Sequence, residues 1–107
     1  MFNVHNIDGE IVKEDDRYIV KDNTSLKNLI VSSTTLFPNK STSGHKHKGQ
    51  EEVYIFLTGN GYIYLNEKKM SVQAGDTVLI EDGVFHRVES GASGVYFVCV
   101  FDGKRYE

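Results

Sequence analysis

Two histidines separated by one residue, His45 and His47, are the residues of this sequence best suited to chemistry. On a β-strand, residues two apart point to the same face, so these imidazoles would enter one cavity side by side. A short turn leads from them to Glu51 and Glu52, either of which would add a carboxylate oxygen. A third imidazole, His86, lies on a later segment. Together these side chains predict a metal site.

Three imidazoles and one carboxylate make a ligand set of intermediate softness. Such a set favours one divalent transition metal, Mn, Fe, Co, Ni, Cu or Zn, over Ca or Mg, which prefer all-oxygen shells. A His-x-His pair alone is a weak signal, because short motifs recur by chance. The prediction therefore depends on the elements that would position the four side chains.

Short runs rich in Val, Ile, Tyr, Phe and Thr alternate with turn residues along this chain, which contains ten glycines and one proline. The pattern is typical of an all-β fold with many short strands. We see no helical period of useful length. We expect strands in a sandwich or barrel over residues 18–21, 29–37, 43–47, 52–57, 61–65, 69–72, 77–81, 86–89 and 95–101.

Glycine and asparagine mark the connections between these strands. We expect hairpin turns at 58–61 and 66–67, and looser loops at 74–76 and 90–94. The first dozen residues are weakly periodic, and we expect them to form a peripheral arm or an added edge strand.

The segment that contains the two histidines resembles the first conserved motif of the cupin superfamily, which is His-x-His, three or four residues, Glu, six residues and Gly. Here His45 and His47 are followed by four residues, Glu52, six residues and Gly59. The register selects Glu52 over Glu51, since only Glu52 stands six residues before that glycine.

Residues 75–90 resemble the second cupin motif, which is Gly, five residues, Pro-x-Gly, two residues, His, three residues and Asn. Gly75 and His86 match it, whereas Glu81 replaces the proline and Ser90 the asparagine. Neither replaced position binds metal in that family. The resemblance implies a double-stranded β-helix, or jelly-roll, barrel, with one domain over 1–107, a cupin core over about 40–101 and an N-terminal arm over about 1–16. It implies the metal ligands His45, His47, Glu52 and His86.

The period of two also predicts what surrounds the metal. If Glu52 points inward, Tyr54 and Phe56 do so as well, and Val88 shares the inner face with His86. We expect these three to line a narrow, mostly apolar pocket, with Tyr54 as the candidate catalytic residue through its hydroxyl. The alternative is that they simply fill the barrel. The inner faces inferred in this way carry no Lys or Arg.

Three functions fit such a site. An apolar lumen slightly favours a dioxygenase, because exclusion of water protects reactive intermediates. Metal-stabilised enediolate chemistry would instead give an isomerase or lyase acting on a sugar or sugar phosphate. The third is a non-catalytic module that uses its metal to hold a small carboxylate, sugar or similar ligand.

Composition argues against other classes of partner. The 12 basic and 15 acidic residues are interspersed, with net charge -3, and form no basic stripe for nucleic acid. No apolar run approaches the roughly 18 to 20 residues of a membrane helix and the N-terminus lacks a secretory pattern, so we expect a cytoplasmic protein without a membrane partner. Cys99 is expected to be a buried hydrophobe.

Two strands, 53–57 and 95–101, are apolar on both faces, which predicts a homodimer or, alternatively, two sheets packed within one monomer.

Overall fold

Within the described part of the chain the regular elements are all β-strands, as the sequence predicts. The computed structural model describes residues 1–46 and 48–103. All strand pairings are antiparallel. The described residues include no helix of the length and apolar character needed to cross a membrane. The strands are β1 (Glu10–Glu14), β2 (Tyr18–Asn23), β3 (Leu29–Leu36), β4 (Glu52–Leu65), β5 (Lys68–Gln73), β6 (Thr77–Ile80) and β7 (His86–Asp102).

Two long strands, β4 and β7, run through both layers of the fold. The first half of β4 pairs with the second half of β7, with Glu52 opposite Phe101, and the two other halves pair with Leu65 opposite His86. The larger layer has the order β1-β2-β3-β7-β4-β6, and β5 extends the smaller layer beyond β4. The site described below lies between these two layers.

Glycines allow β4 and β7 to bend without interruption. Gly59 has φ 80° and Gly94 has φ 73°, a region that side chains with a Cβ avoid. A Cβ at Gly59 would also clash with the carbonyl oxygen of Gly94. The hairpin expected at 58–61 and the loop expected at 90–94 are therefore wrong, because both segments are strand interior. The two-residue turn at Asn66 and Glu67 is confirmed, with Leu65 paired to Lys68.

The strand expected over 43–47 is also wrong for its described residues, which are 43–46. Ser41 and His45 form only isolated bridges, to Glu89 and His86 respectively. Gly44 between them has φ 90°, which breaks the extended conformation that a strand requires. His47 lies outside the described residues.

Alternation along β4 confirms the predicted inner face. Glu52, Tyr54 and Phe56 are buried, whereas the residues between them are partly exposed. Burying each large apolar side chain contributes about 1.5 to 3 kcal/mol relative to leaving it exposed. The core cluster comprises Tyr18, Val20, Leu36, Tyr54, Phe56, Ile63, Val72, Ile80, Val88, Val95, Phe97 and Cys99.

The N-terminal segment adds both an edge strand and an outer strap. β1 pairs with β2 at the edge of the larger layer. Before it, Ile7 is buried, and the Tyr96 hydroxyl donates a hydrogen bond of 2.6 Å to the carbonyl oxygen of Val4. Lys21 donates to the carbonyl oxygen of Ile7 at 3.3 Å. These contacts hold the first residues against the outer face of the sheet.

Candidate functional site

A small cavity of about 40 Å³ lies between the two layers, enough for a few water-sized groups. Its wall includes His45, Glu52 and His86, which are three of the four predicted metal ligands. The fourth, His47, lies outside the described residues. The fold therefore brings together side chains that are up to 41 positions apart in the chain.

His86, the first residue of β7, has its ring oriented by a backbone contact. Its Nδ1 lies 3.1 Å from the carbonyl oxygen of Val84, which only accepts hydrogen bonds, so Nδ1 carries the proton. The other nitrogen, Nε2, lies 3.7 Å from Oε1 of Glu52. Burial lowers the pKa of His86, and the bond to Val84 opposes that shift. Burial thus favours the neutral imidazole, whose lone pair is then on Nε2, the nitrogen near Glu52, in the form that binds metals.

His45 is positioned at the cavity wall by backbone hydrogen bonds and does not belong to a regular strand. Its N–H and carbonyl groups both bond to His86, each at 2.9 Å. The two rings lie 6.2 Å apart between centroids. A side chain on Gly44 would clash with the ring of Phe85, so glycine is needed directly before His45. The turn that follows is tied down as well, since the Gly49 N–H donates to a carboxylate oxygen of Asp82 at 2.6 Å.

Glu52 begins β4 and is 8% exposed. It stands opposite Phe101 on one side and Ile80 on the other, both apolar. A carboxylate buried in such surroundings costs free energy unless cations or hydrogen-bond donors compensate. His86 and Lys13 share the cavity wall with this carboxylate, and a metal ion between Glu52 and the imidazoles would be a further compensating cation.

The donor set fits a divalent transition metal. It combines a neutral, hydrogen-bonded imidazole, a second imidazole on the same wall and a buried carboxylate, and second contacts such as that of Val84 are typical of metal-bound histidines. Residues 1–46 and 48–103 taken alone contain no group of three or more His, Cys, Asp or Glu close enough to hold an ion. His45, Glu52 and His86 thus share the cavity wall without forming such a group, His47 lies outside the described residues, and the four-ligand centre stays a prediction.

The predicted pocket residues divide between the wall and the core. Tyr54 lines the cavity, edge-on to His86 at 5.6 Å and stacked on Phe97 at 5.0 Å. Phe56 and Val88 are both almost fully buried, and neither is among the described residues of the cavity wall. They pack in the core beneath it, which matches the alternative that they fill the barrel.

Comparison with known proteins identifies the family. The family model for the cupin domain matches residues 33–101, more than half of the chain. The chain belongs to the cupin family. Solved cupin structures agree with the jelly-roll architecture, among them one from Shewanella frigidimarina with a TM-score of 0.79, 15% identity and coverage of 91% of this chain and 86% of that one.

Two matches come from Thermotoga maritima, one found by sequence and one by structure. An oxalate-binding protein is 34% identical over 64 residues, which are 59% of this chain and 53% of that protein. The match thus spans about half of that relative's length. A structure described as a predicted oxalate decarboxylase has a TM-score of 0.80 and 24% identity, and the alignment covers 95% of this chain and 97% of that one. KdgF from Halomonas has a TM-score of 0.81 and 15% identity, with coverage of 97% and 93%.

The cupin cavity also contains residues that sequence reasoning missed. Lys13, on β1, lines the wall, so the expectation that no Lys or Arg faces inward is wrong. Gln50 lines it too, and its amide donates to the carbonyl oxygen of Asp102 at 2.9 Å. The position of Gln50 two residues before Glu52 was a usable signal, since residues two apart share a face. No periodic signal points to Lys13.

A wider groove at the surface shares Lys13, Tyr18 and His45 with the cavity. The described residues of its wall include four long cations and two carboxylates, and the resulting excess of positive charge attracts anions. Arg17 is anchored to Asp15 at 2.8 Å, and that hydrogen bond lowers the pKa of the Asp15 carboxyl. The four cations are Lys13, Arg17, Lys46 and Lys48.

Proposed function

We propose that this cupin binds a small carboxylate at a divalent transition metal held by His45, His47, Glu52 and His86. The observation that carries the proposal is the convergence of three of these side chains on one small cavity that Lys13 also lines. A volume of about 40 Å³ suits a ligand of few heavy atoms. The relative named as an oxalate-binding protein supports the same class of ligand.

The chain's own residues prepare the site for such a ligand. Val84 holds the His86 ring so that Nε2 faces Glu52. The rings of Tyr54 and Phe97 stack along the wall and reduce the access of water. When bound, the metal would supply a Lewis-acidic centre for carboxylate oxygens. The Tyr54 hydroxyl is our candidate to hydrogen-bond or protonate the ligand.

Dioxygenase-type chemistry is the second candidate. The aromatic wall of Tyr54, Phe97 and Phe101 favours it, because reactive intermediates survive longer where water is excluded. Lys13 on the same wall weakens this preference, because it makes the cavity less apolar than the sequence predicts. A sugar phosphate, the substrate of the isomerase alternative, would extend out of so small a cavity into the groove.

Metal and ligand binding test the proposal directly. The protein would be purified without a metal-chelating tag, its metal content measured by plasma mass spectrometry and oxalate binding measured by calorimetry. We expect about one equivalent of metal, lost in Glu52→Gln and His86→Ala. Glu51→Gln is the matched control, since Glu51 is the exposed neighbour of Glu52. Wild-type protein that holds no metal even after reconstitution would contradict the proposal.

Turnover is tested on the same preparation. Oxygen uptake by protein that is loaded with Fe, Ni or Cu and supplied with enol substrates would support the dioxygenase candidate. Tyr54→Phe should then slow turnover and leave the metal content unchanged, because the hydroxyl is offered as a proton donor rather than a ligand. Oxalate binding without any reaction would leave a carboxylate-binding module.

We also propose that two copies pair through the outer face of the larger layer. An apolar row crosses four strands there, with Val31 opposite Val100, Val100 opposite Val53 and Val53 opposite Leu79. Leu79 is 70% exposed. A two-fold partner would cover this row. Light scattering should give a dimer for the wild type and a monomer for Leu79→Glu, and a monomeric wild type would contradict the pairing.

A further inference from the structure

A β-bulge at Val12 points Lys13 toward the cavity. Ile11 stands opposite Lys21 and Lys13 opposite Val20, so two steps on β1 match one step on β2. In a regular ladder Val12, not Lys13, would stand opposite Val20. Residues opposite each other share a face of the sheet, and Val20 lines the cavity. The bulge therefore exchanges a valine for a lysine on the inner side.

Exposure along β1 agrees with this exchange. Ile11 is 54% exposed and Val12 is 45% exposed, whereas Lys13 is half-buried. Lys13 lines both the cavity and the adjoining groove. The aliphatic stem of Lys13 can pack along the wall as a valine would, and its ammonium adds a positive charge that a valine would not. The bulge therefore places a cation beside the predicted metal centre.

The cavity's charge indicates what this cation is for. With neutral imidazoles, a divalent metal and the Glu52 carboxylate leave one positive charge, and the Lys13 ammonium raises this to two. A small dicarboxylate would neutralise both charges, whereas a monocarboxylate would neutralise one. In a largely desolvated site, a positive charge that the ligand leaves unneutralised costs more binding free energy than it would in water.

We propose that Lys13 is the ligand-binding residue that selects dianionic over monoanionic carboxylates, one carboxylate of the ligand lying toward the metal and the other toward the ammonium. This inference rests on the proposed function. A purely structural Lys13, which only offset the charge of Glu52, would behave differently. Its loss would weaken metal binding or stability and would reduce mono- and dicarboxylate binding alike.

Calorimetry with a dianion and a monoanion separates the two roles. Metal-loaded wild type and Lys13→Met would be titrated with oxalate and with formate, and their metal contents compared by plasma mass spectrometry. We expect Lys13→Met to raise the Kd for oxalate about ten- to a hundredfold, as for loss of a hydrogen bond to a charged group. The Kd for formate should change less than about threefold, and the metal content should not change.

A charge-neutral control uses the bulge itself. The double variant Val12→Lys with Lys13→Val keeps the net charge and composition but moves the ammonium to the exposed position. It should lose oxalate affinity as Lys13→Met does, whereas Lys13→Arg should retain most of it. Circular dichroism of each variant checks its fold, and the double variant and Lys13→Arg decide the question if Lys13→Met does not fold.

The outcomes distinguish this inference from the proposed function. Oxalate binding within twofold of wild type in the folded variants, or equal losses for oxalate and formate, overturns the role of Lys13 and leaves the metal site standing. Loss of metal in Lys13→Met likewise assigns Lys13 a structural role. A metal-loaded wild type that binds no oxalate overturns both.

Discussion

Nδ1 of His86 lies 3.1 Å from the carbonyl oxygen of Val84, and this contact decides which ring nitrogen faces Glu52. The backbone oxygen accepts, so Nδ1 carries a proton, and in the neutral ring the lone pair is on Nε2. A histidine held in this way loses little freedom when a metal binds.

The first prediction concerns the tautomer of His86. In metal-free protein at pH 7.5, nitrogen NMR should show one histidine as the neutral Nδ1–H tautomer, absent in His86→Gln. Burial lowers its pKa, so the neutral form should persist below the usual range of histidine. Addition of Zn²⁺ should shift the Nε2 signal of this residue. A protonated His86 or the opposite tautomer would contradict the assignment.

The second prediction is that metal stabilises the folded protein. Binding to the native state alone should raise the free energy of unfolding by about 2.7 kcal/mol at a free metal concentration a hundred times Kd. Thermal unfolding with and without a chelator measures this. Glu52→Gln should respond weakly and Glu51→Gln like the wild type. An equal response of all three would place the metal elsewhere.

The third prediction tests the bend where β4 crosses β7. Gly59→Ala should lower the free energy of unfolding by about 2 kcal/mol or more, because the alanine meets both a positive φ and the Gly94 carbonyl oxygen. Gly83 is the matched control, since it has nearly the same φ, 79°, with nothing within 4 Å of an added Cβ. Gly83→Ala should cost only about 1 to 2 kcal/mol. Urea denaturation measures the free energy of unfolding of both variants. Equal losses for Gly59→Ala and Gly83→Ala would show that the crossing tolerates a methyl group.

The fourth prediction concerns Ser90, which occupies the position of the asparagine in the cupin motif. Its hydroxyl donates to the carbonyl oxygen of Phe37 at 2.5 Å and accepts from the Lys40 N–H at 3.0 Å. Ser90→Ala removes the partner of these two part-buried backbone groups and should cost about 1 to 3 kcal/mol in urea denaturation. Ser71→Ala, at an exposed position, should stay within about 0.5 kcal/mol of wild type. A small effect of Ser90→Ala would mean that water replaces the hydroxyl.

The fifth prediction is a pH dependence from Tyr96. Burial raises the pKa of this hydroxyl above 10, more than its bond with Ser33 lowers it. The neutral form is thus favoured in the native state, so its contribution to stability is full below pH 10 and is lost as pH rises through the native pKa. Urea denaturation at pH 8 and pH 11 should show a smaller alkaline loss in Tyr96→Phe than in wild type. Hydrogen exchange at the Asn6 N–H, which donates to the Asn3 carbonyl oxygen beside Val4, should report loosening of the N-terminal segment in that variant.

Several features of this protein follow from the order of residues alone. The spacing that relates His45, His47 and Glu52, and the later His86, is a local pattern, and the period of two correctly puts Glu52, Tyr54 and Phe56 on one buried face. The match of the cupin family model to residues 33–101 agrees with the resemblance drawn from the same motifs. The all-β class follows from composition and turn residues for the same reason, since both are local properties.

Only the tertiary structure decided the rest. The continuity of β4 and β7 depends on where the chain crosses itself at Gly59 and Gly94, because a glycine at positive φ serves equally well in a turn or in a bend. His45 is joined to His86 by a single bridge that no local period marks. The inward face of Lys13 arises from a bulge, which is a mismatch of register between two strands. Register is a property of the pair and not of either strand, so sequence periodicity does not reveal that Lys13 lines the cavity.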